Sequence, residues 1–266
     1  MSQSASYLYH YFTQGEFIIK PKNIEARYQS KRACFLREKV FLKTGHLNWL
    51  NQLFFDASLN MLSKYEKNQE IRLLDIGCGN GEYVKMFLKK FPKSNAVCVE
   101  GMDSHMKITK NNLSRYSKRV KYVTNSFEGI NKWPKIGKFD VVAAFNVFHF
   151  ISQEDLLKLV KGVYKLLNKK GVFIPKQITQ IEEGFEEYYS SGSNLYYESQ
   201  KTKDKKILEY EREYLKLIKS GEKFGFKTNH IRHTEANLLR AFSKAGFKNV
   251  ETTIKLYNHL MIMGIK

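Results

Sequence analysis

At 266 residues the chain can form one full-size domain with embellishments or two small ones. With 42% hydrophobic and 14% aromatic residues it can build a packed core, which excludes a disordered or collagen-like polypeptide. The formal net charge is +19, and the basic side chains are 36 Lys against 9 Arg; phosphate and base readers lean on Arg, so the surface reads as solvated lysine, and nucleic acid stays an open but unfavoured partner. The basic excess is +4 over 1–70, +11 over 71–175 and +4 over 176–266. The longest apolar run, Val141–Ile151, carries Asn146 and His149 and is too short to span a bilayer. The N-terminal MSQSASYLYHYF lacks the basic and apolar regions of a signal peptide. Three scattered cysteines (Cys34, Cys78, Cys98) form no CxxC pair. Together these predict a cytoplasmic protein without membrane, disulfide framework or metal.

Residues 1–70 read as a helical lid segment, with apolar residues near three- and four-residue spacing over Ala33–Lys43 and Leu47–Tyr65. From residue 71 the texture changes. Strands are predicted at 72–76, 96–100, 120–124, 139–145 and 171–174, and helices at 82–91, 104–116 and 154–167. Short apolar strands separated by helices of this length indicate an α/β fold with a doubly wound, mostly parallel sheet. Residues 182–230 break the rhythm and read as an insertion in a domain running over 71–266. Thr234 is a good N-cap for a helix ending at Gly246. Two strands near Val250–Tyr257 and His259–Ile265 close the chain as an antiparallel hairpin.

The chemistry-bearing stretch is Leu73-Leu74-Asp75-Ile76-Gly77-Cys78-Gly79-Asn80-Gly81-Glu82. A strand runs into a glycine-rich turn and then a helix. Gly77 and Gly79 permit a tight turn with bare backbone facing a ligand, and Gly81 allows the helix to start close to the strand. Glu100 ends the next strand, 19 residues beyond Gly81. In open parallel sheets ligands sit outside the carboxyl ends of the strands, where a carboxylate at Glu100 can accept both ribose hydroxyls. Asp75 is awkward for a pyrophosphate but suits a cationic amine. The combination describes a cationic nucleoside, S-adenosylmethionine.

LLDIGCGNGEY, VCVEGMD, VKYVTNSF, FDVVAAFNVFHFI and LLNKKGVFI together resemble the class I S-adenosylmethionine-dependent methyltransferases of small-molecule type. The resemblance covers 71–175 and, more weakly, 234–266. It implies a seven-stranded Rossmann-like sheet and S-adenosylmethionine as donor, with S-adenosylhomocysteine as product. It also implies that Asp75, Gly77, Gly79 and Gly81 hold the methionine part, Glu100 the ribose, and Gly101 and Met102 the flank of the adenine. Ser126 and Phe127 would meet the adenine edge and face, and Phe145 and Asn146 the sulfonium end. Many relatives carry Asp where Ser126 stands. Relatives that methylate nucleobases often carry Asn/Asp-Pro-Pro-aromatic where this chain has Asn146-Val147-Phe148-His149, so that design loses support.

His149, just past the fourth strand, is the candidate general base, set against a purely structural role packing with Phe148 and Phe150. Tyr11, Tyr28 and Tyr196, with His149, are candidate substrate contacts; aromatics at such spacing also serve helix packing. His230 and His233 lack an evident third metal ligand. The expected activity is methyl transfer to an O or N nucleophile of a small molecule. An RNA or protein methyltransferase and a non-catalytic cofactor-fold binding protein are the rival readings. The sequence leaves the oligomeric state open.

Overall fold

The computed structural model describes residues 45–125, 135–181 and 232–266, together with positions 32, 35, 36, 39, 130, 133, 183–185, 187, 188, 204–210, 212, 213 and 216. The chain divides into two compact units, one of residues 54–180 with 231–266 and one of residues 1–53 with 181–230.

The first unit is built on a seven-stranded sheet. Its strands are β1 (Arg72–Ile76), β2 (Asn95–Glu100), β3 (Val120–Thr124), β4 (Phe139–Phe145), β5 (Leu167–Ile178), β6 (Asn249–Leu256) and β7 (His259–Ile265), in the order β3-β2-β1-β4-β5-β7-β6. The first five pair in parallel, and β7 runs antiparallel to both β5 and β6. β1 and β4 are buried along nearly their whole length, as expected of strands covered on both faces. The closing strands form the expected hairpin, turning at Tyr257 and Asn258 with Tyr257 at φ 52°.

The helices are α1 (Gly45–Met61), α2 (Glu82–Lys90), α3 (Asp103–Asn112), α4 (Gln153–Leu166) and α5 (Glu235–Ala245). Each boundary has a local cause. Ser152 caps α4 by accepting the Asp155 N–H at 3.1 Å, and Thr234 caps α5 by accepting the Asn237 N–H at 3.1 Å. Gly246 ends α5 in the left-handed conformation. α2 opens with Glu82 and closes with Lys89 and Lys90, complementing its dipole. α3 stops at Asn112 and continues as a 3-10 turn over Ser114–Arg119, so the helix expected over 104–116 is two pieces.

The core lies between one sheet face and helices α4 and α5. Leu74, Val97, Val142 and Phe173 from the strands meet Leu156 and Phe242 from the helices, and Phe173 stacks on Phe242 with ring centroids 5.1 Å apart. Burying one such side chain is worth roughly 1.5–3 kcal/mol. Strand order reverses between β1 and β4, and the segments leaving their carboxyl ends are Gly77–Gly81 and Asn146–Ile151. A doubly wound sheet opens its ligand crevice at such a reversal.

In the second unit the Arg32 guanidinium donates to both carboxylate oxygens of Glu213, and Phe35 packs edge-on to Tyr210. Among the described residues no helix is long and apolar enough to cross a membrane.

Candidate functional site

The turn after β1 hooks onto the neighbouring strand. Gly77 and Cys78 both donate their N–H groups to the carbonyl of Val99, at 2.8 and 3.2 Å. Val147, leaving β4, presses on Gly77 so closely that an added Cβ would lie 2.6 Å from its methyl. Gly79 is the opposite case. At φ 56° it is in the left-handed region, and a Cβ there would meet nothing nearer than the Gly77 carbonyl at 4.0 Å. Its bare face is open, as a ligand seat requires. Gly81, at φ 79°, packs closely against a further element. Its Cβ position lies 3.0 Å from Leu113 and Thr109, so it lets the turn pass under the end of α3.

Two carboxyl groups flank this turn. Asp75 is 2% exposed, and no basic side chain among the described residues pairs with it. Burial, reinforced by the charge of Glu100, pushes its carboxyl well above the usual range. Glu100, at the end of β2, is also buried. One of its oxygens accepts the Gly79 N–H at 3.1 Å and the other accepts the Met102 N–H at 3.2 Å. The ring of His105 lies 4.0 Å from the first oxygen. Thr109 donates to the Gly79 carbonyl at 2.5 Å, tying α3 to the turn. Cys78 is buried, and Cys98 and burial together raise its thiol well above the usual range, so it is a protonated filler.

The exit of β4 forms the other side. Phe145 packs against Tyr83 and Phe55, with centroids at 4.5 and 4.8 Å. Asn146 is half-buried at φ 56°. His149 is half-buried in the 3-10 turn Phe148–Phe150. Three residues that the sequence reading did not assign to this site hold the exit in place. Gln177 accepts the Phe148 N–H at 2.9 Å and donates to the Ala144 carbonyl at 3.0 Å. His233 brings its Nε2 to the Phe148 and Ile151 carbonyls, at 3.1 and 3.2 Å, and its Nδ1 to the Gln153 side-chain amide. Burial lowers its pKa, so it is a neutral clasp. Lys176, 1% exposed, donates to Asn146 Oδ1 at 2.8 Å.

Asp75, Gly77, Gly79, Gly81, Glu100, Gly101 and Met102 therefore gather at the β1 and β2 ends, and Phe145, Asn146 and His149 at the β4 end. Ser126, Phe127, Tyr11, Tyr28 and Tyr196 lie outside the described residues, as does His230. Lys176 lay outside the strand expected at 171–174, which runs on to Ile178. Its signal was parity: it shares a sheet face with Val172 and Ile174, two buried positions.

Residues 74–173 match the family model described as a methyltransferase domain. That segment, from β1 into β5, is similar to a methyltransferase domain. The chain is 24% identical over 170 residues to the malonyl-[acyl-carrier protein] O-methyltransferase of Bacillus anthracis, covering 64% of this chain and 55% of that protein. Its fold is similar to that of PigF with S-adenosylhomocysteine, at TM-score 0.59 and 17% identity over 92% of this chain and 62% of that one. It is also similar to magnesium protoporphyrin IX methyltransferase from Synechocystis, at TM-score 0.60 and 11% identity over 91% and 97% of the two chains. The chain spans about half the length of the curated relatives it matches.

Proposed function

We propose that this chain methylates an oxygen of a small-molecule acceptor, with S-adenosylmethionine held across the ends of β1, β2 and β4. The carrying observation is Glu100, whose two oxygens are already fixed by the Gly79 and Met102 N–H groups beside an open glycine face. The residues fit the donor. Asp75 is a buried carboxyl beside a second carboxylate, with no cation paired to it among the described residues, and a ligand ammonium offsets both. When bound, S-adenosylmethionine supplies an activated methyl on a sulfonium.

In this reading Asp75 holds the ammonium, Gly77, Gly79 and Gly81 bare the backbone under the amino-acid tail, and Glu100 accepts the ribose hydroxyls. Gly101 and Met102 flank the base, as do Ser126 and Phe127. Phe145 supplies an apolar wall that excludes water, and Asn146 borders the reacting end. His149 takes the acceptor's proton where the acceptor is an alcohol or phenol, which adds about 10²–10⁴-fold. Alignment of the acceptor supplies up to about 7–11 kcal/mol of the barrier reduction. Oxygen is favoured over nitrogen because the curated relatives with stated activities are O-methyltransferases.

The test is a radiolabelled methyl-donor assay on fractionated cell extract. Label in the small-molecule fraction, released by alkali or stable as an ether, supports the reading. Label confined to RNA or to polypeptide side chains overturns it.

A further inference from the structure

Lys176 and Asn146 are joined twice. The Asn146 N–H donates to the Lys176 carbonyl at 2.7 Å, and the Lys176 ammonium donates to Asn146 Oδ1 at 2.8 Å. Lys176 lies in register with Phe145, on the sheet face that carries Asp75, Ala143 and Ile174, two residues further toward the carboxyl edge. Its Nζ also sits over the Phe54 ring, 5.3 Å from the centroid. The arrangement has a chemical polarity. An ammonium has three donors, and among the described residues Asn146 Oδ1 is the one oxygen that Lys176 bonds. With Oδ1 committed to Lys176, the Asn146 amide has its two Nδ2 donors left. What remains on both side chains is donor, at the carboxyl end of β4.

We propose that Lys176 and Asn146 form a carboxylate-recognition pair, and that the methyl acceptor of this chain is a carboxylic acid, converted to its methyl ester. The proposal rests on the reading of the site given above. A carboxylate is ionised at neutral pH and needs no base to become the nucleophile. What it needs is a counter-charge inside a site that excludes water. Burial lowers the Lys176 pKa to about 7, so an arriving anion restores full protonation where an unpaired ammonium is costly. In the transfer, one carboxylate oxygen forms a bond to the methyl carbon as the sulfur–methyl bond breaks. The sulfur keeps the electron pair as a neutral thioether, and the negative charge of the acceptor is lost.

The experiment is calorimetric titration of the full chain, saturated with S-adenosylhomocysteine, using malonyl-N-acetylcysteamine, malonate and benzoate as probes. Each acid is compared with its methyl ester. At least one acid is expected to bind ten-fold or more tighter than its ester, and Lys176→Met is expected to remove that preference while leaving the S-adenosylhomocysteine affinity within two-fold. Equal binding of acid and ester, no binding of any of the three acids, or an unchanged preference in Lys176→Met overturns the proposal. Should Lys176→Met fail to fold, the acid–ester comparison on the wild-type chain decides alone. A wild-type chain that does not take up S-adenosylhomocysteine contradicts the underlying reading instead, which the first titration step reports separately.

Discussion

The carboxylate of Glu100 accepts the backbone N–H of Gly79 at 3.1 Å, joining the end of β2 to the turn that leaves β1. The bond spans 21 residues and fixes the two elements between which a nucleoside would lie. A glutamine at 100 keeps the shape but has only one acceptor oxygen, so its NH₂ faces the N–H of either Gly79 or Met102. Hydrogen bonds to charged groups are worth about 1.5–3 kcal/mol. Glu100→Gln is expected to weaken S-adenosylmethionine binding by about 10–100-fold and to lower unfolding free energy by about 1–3 kcal/mol. Calorimetric titration and urea unfolding check the two effects.

Gly79 and Gly81 separate ligand from packing. Both have positive φ, so alanine at either strains the backbone by roughly 1–2 kcal/mol. At Gly79 the added methyl enters open space, whereas at Gly81 it meets Leu113 and Thr109 at 3.0 Å. Gly79→Ala is expected to cost more cofactor affinity than stability. Gly81→Ala is expected to do the reverse, with overpacking adding roughly 1–3 kcal/mol. Paired melting curves and binding isotherms distinguish the two.

Lys176 makes stability depend on pH in a defined direction. Its folded pKa of about 7 lies below its ordinary 10.5, so between those values the unfolded chain binds the proton that the folded chain gives up. Stability then rises with pH through that window, and the full penalty applies below about pH 7. Lys176→Met removes this contribution. The variant is expected to exceed wild type in unfolding free energy by the largest margin near pH 6–7, on the order of a few kcal/mol, with the margin shrinking toward about pH 10. Denaturant titrations of both chains across that range check the sign.

His149 lies within the turn whose carbonyls His233 clasps, and the two are expected to respond differently. His233→Ala removes the clasp on the Phe148 and Ile151 carbonyls and is expected to cost about 1–3 kcal/mol of stability. His149→Ala is expected to lower turnover ten-fold or more on an alcohol acceptor and to leave carboxylate methylation and cofactor affinity nearly unchanged. Steady-state rates on the two acceptor classes make the comparison.

The parallel half of the sheet was legible because strands covered on both faces read as unbroken apolar runs, as in Ala96–Val99 and Val141–Phe145. The glycine turn and Glu100 were legible because their spacing carries its own backbone geometry. β5 was read as 171–174 and proves to be Leu167–Ile178. Pro175 lies just past that reading; as a proline it gives up only its own N–H and stays paired with Ala144. Lys176 lies beyond that reading too, and only the tertiary fold buries it. His233 was weighed as half of a metal pair, because nothing local announces that its partners are carbonyls more than 80 residues away. The contact of Gly81 with α3 was invisible for the same reason.

The central claim is that a cationic nucleoside rests between Asp75 and Glu100. Calorimetric titration of S-adenosylmethionine into wild type and into Asp75→Asn tests it most directly, since the substitution keeps the buried shape and removes the charge that meets the ammonium. The account predicts one site per chain in wild type and at least a ten-fold weaker site in Asp75→Asn, with thermal unfolding nearly unchanged. Equal affinity in the two chains contradicts it.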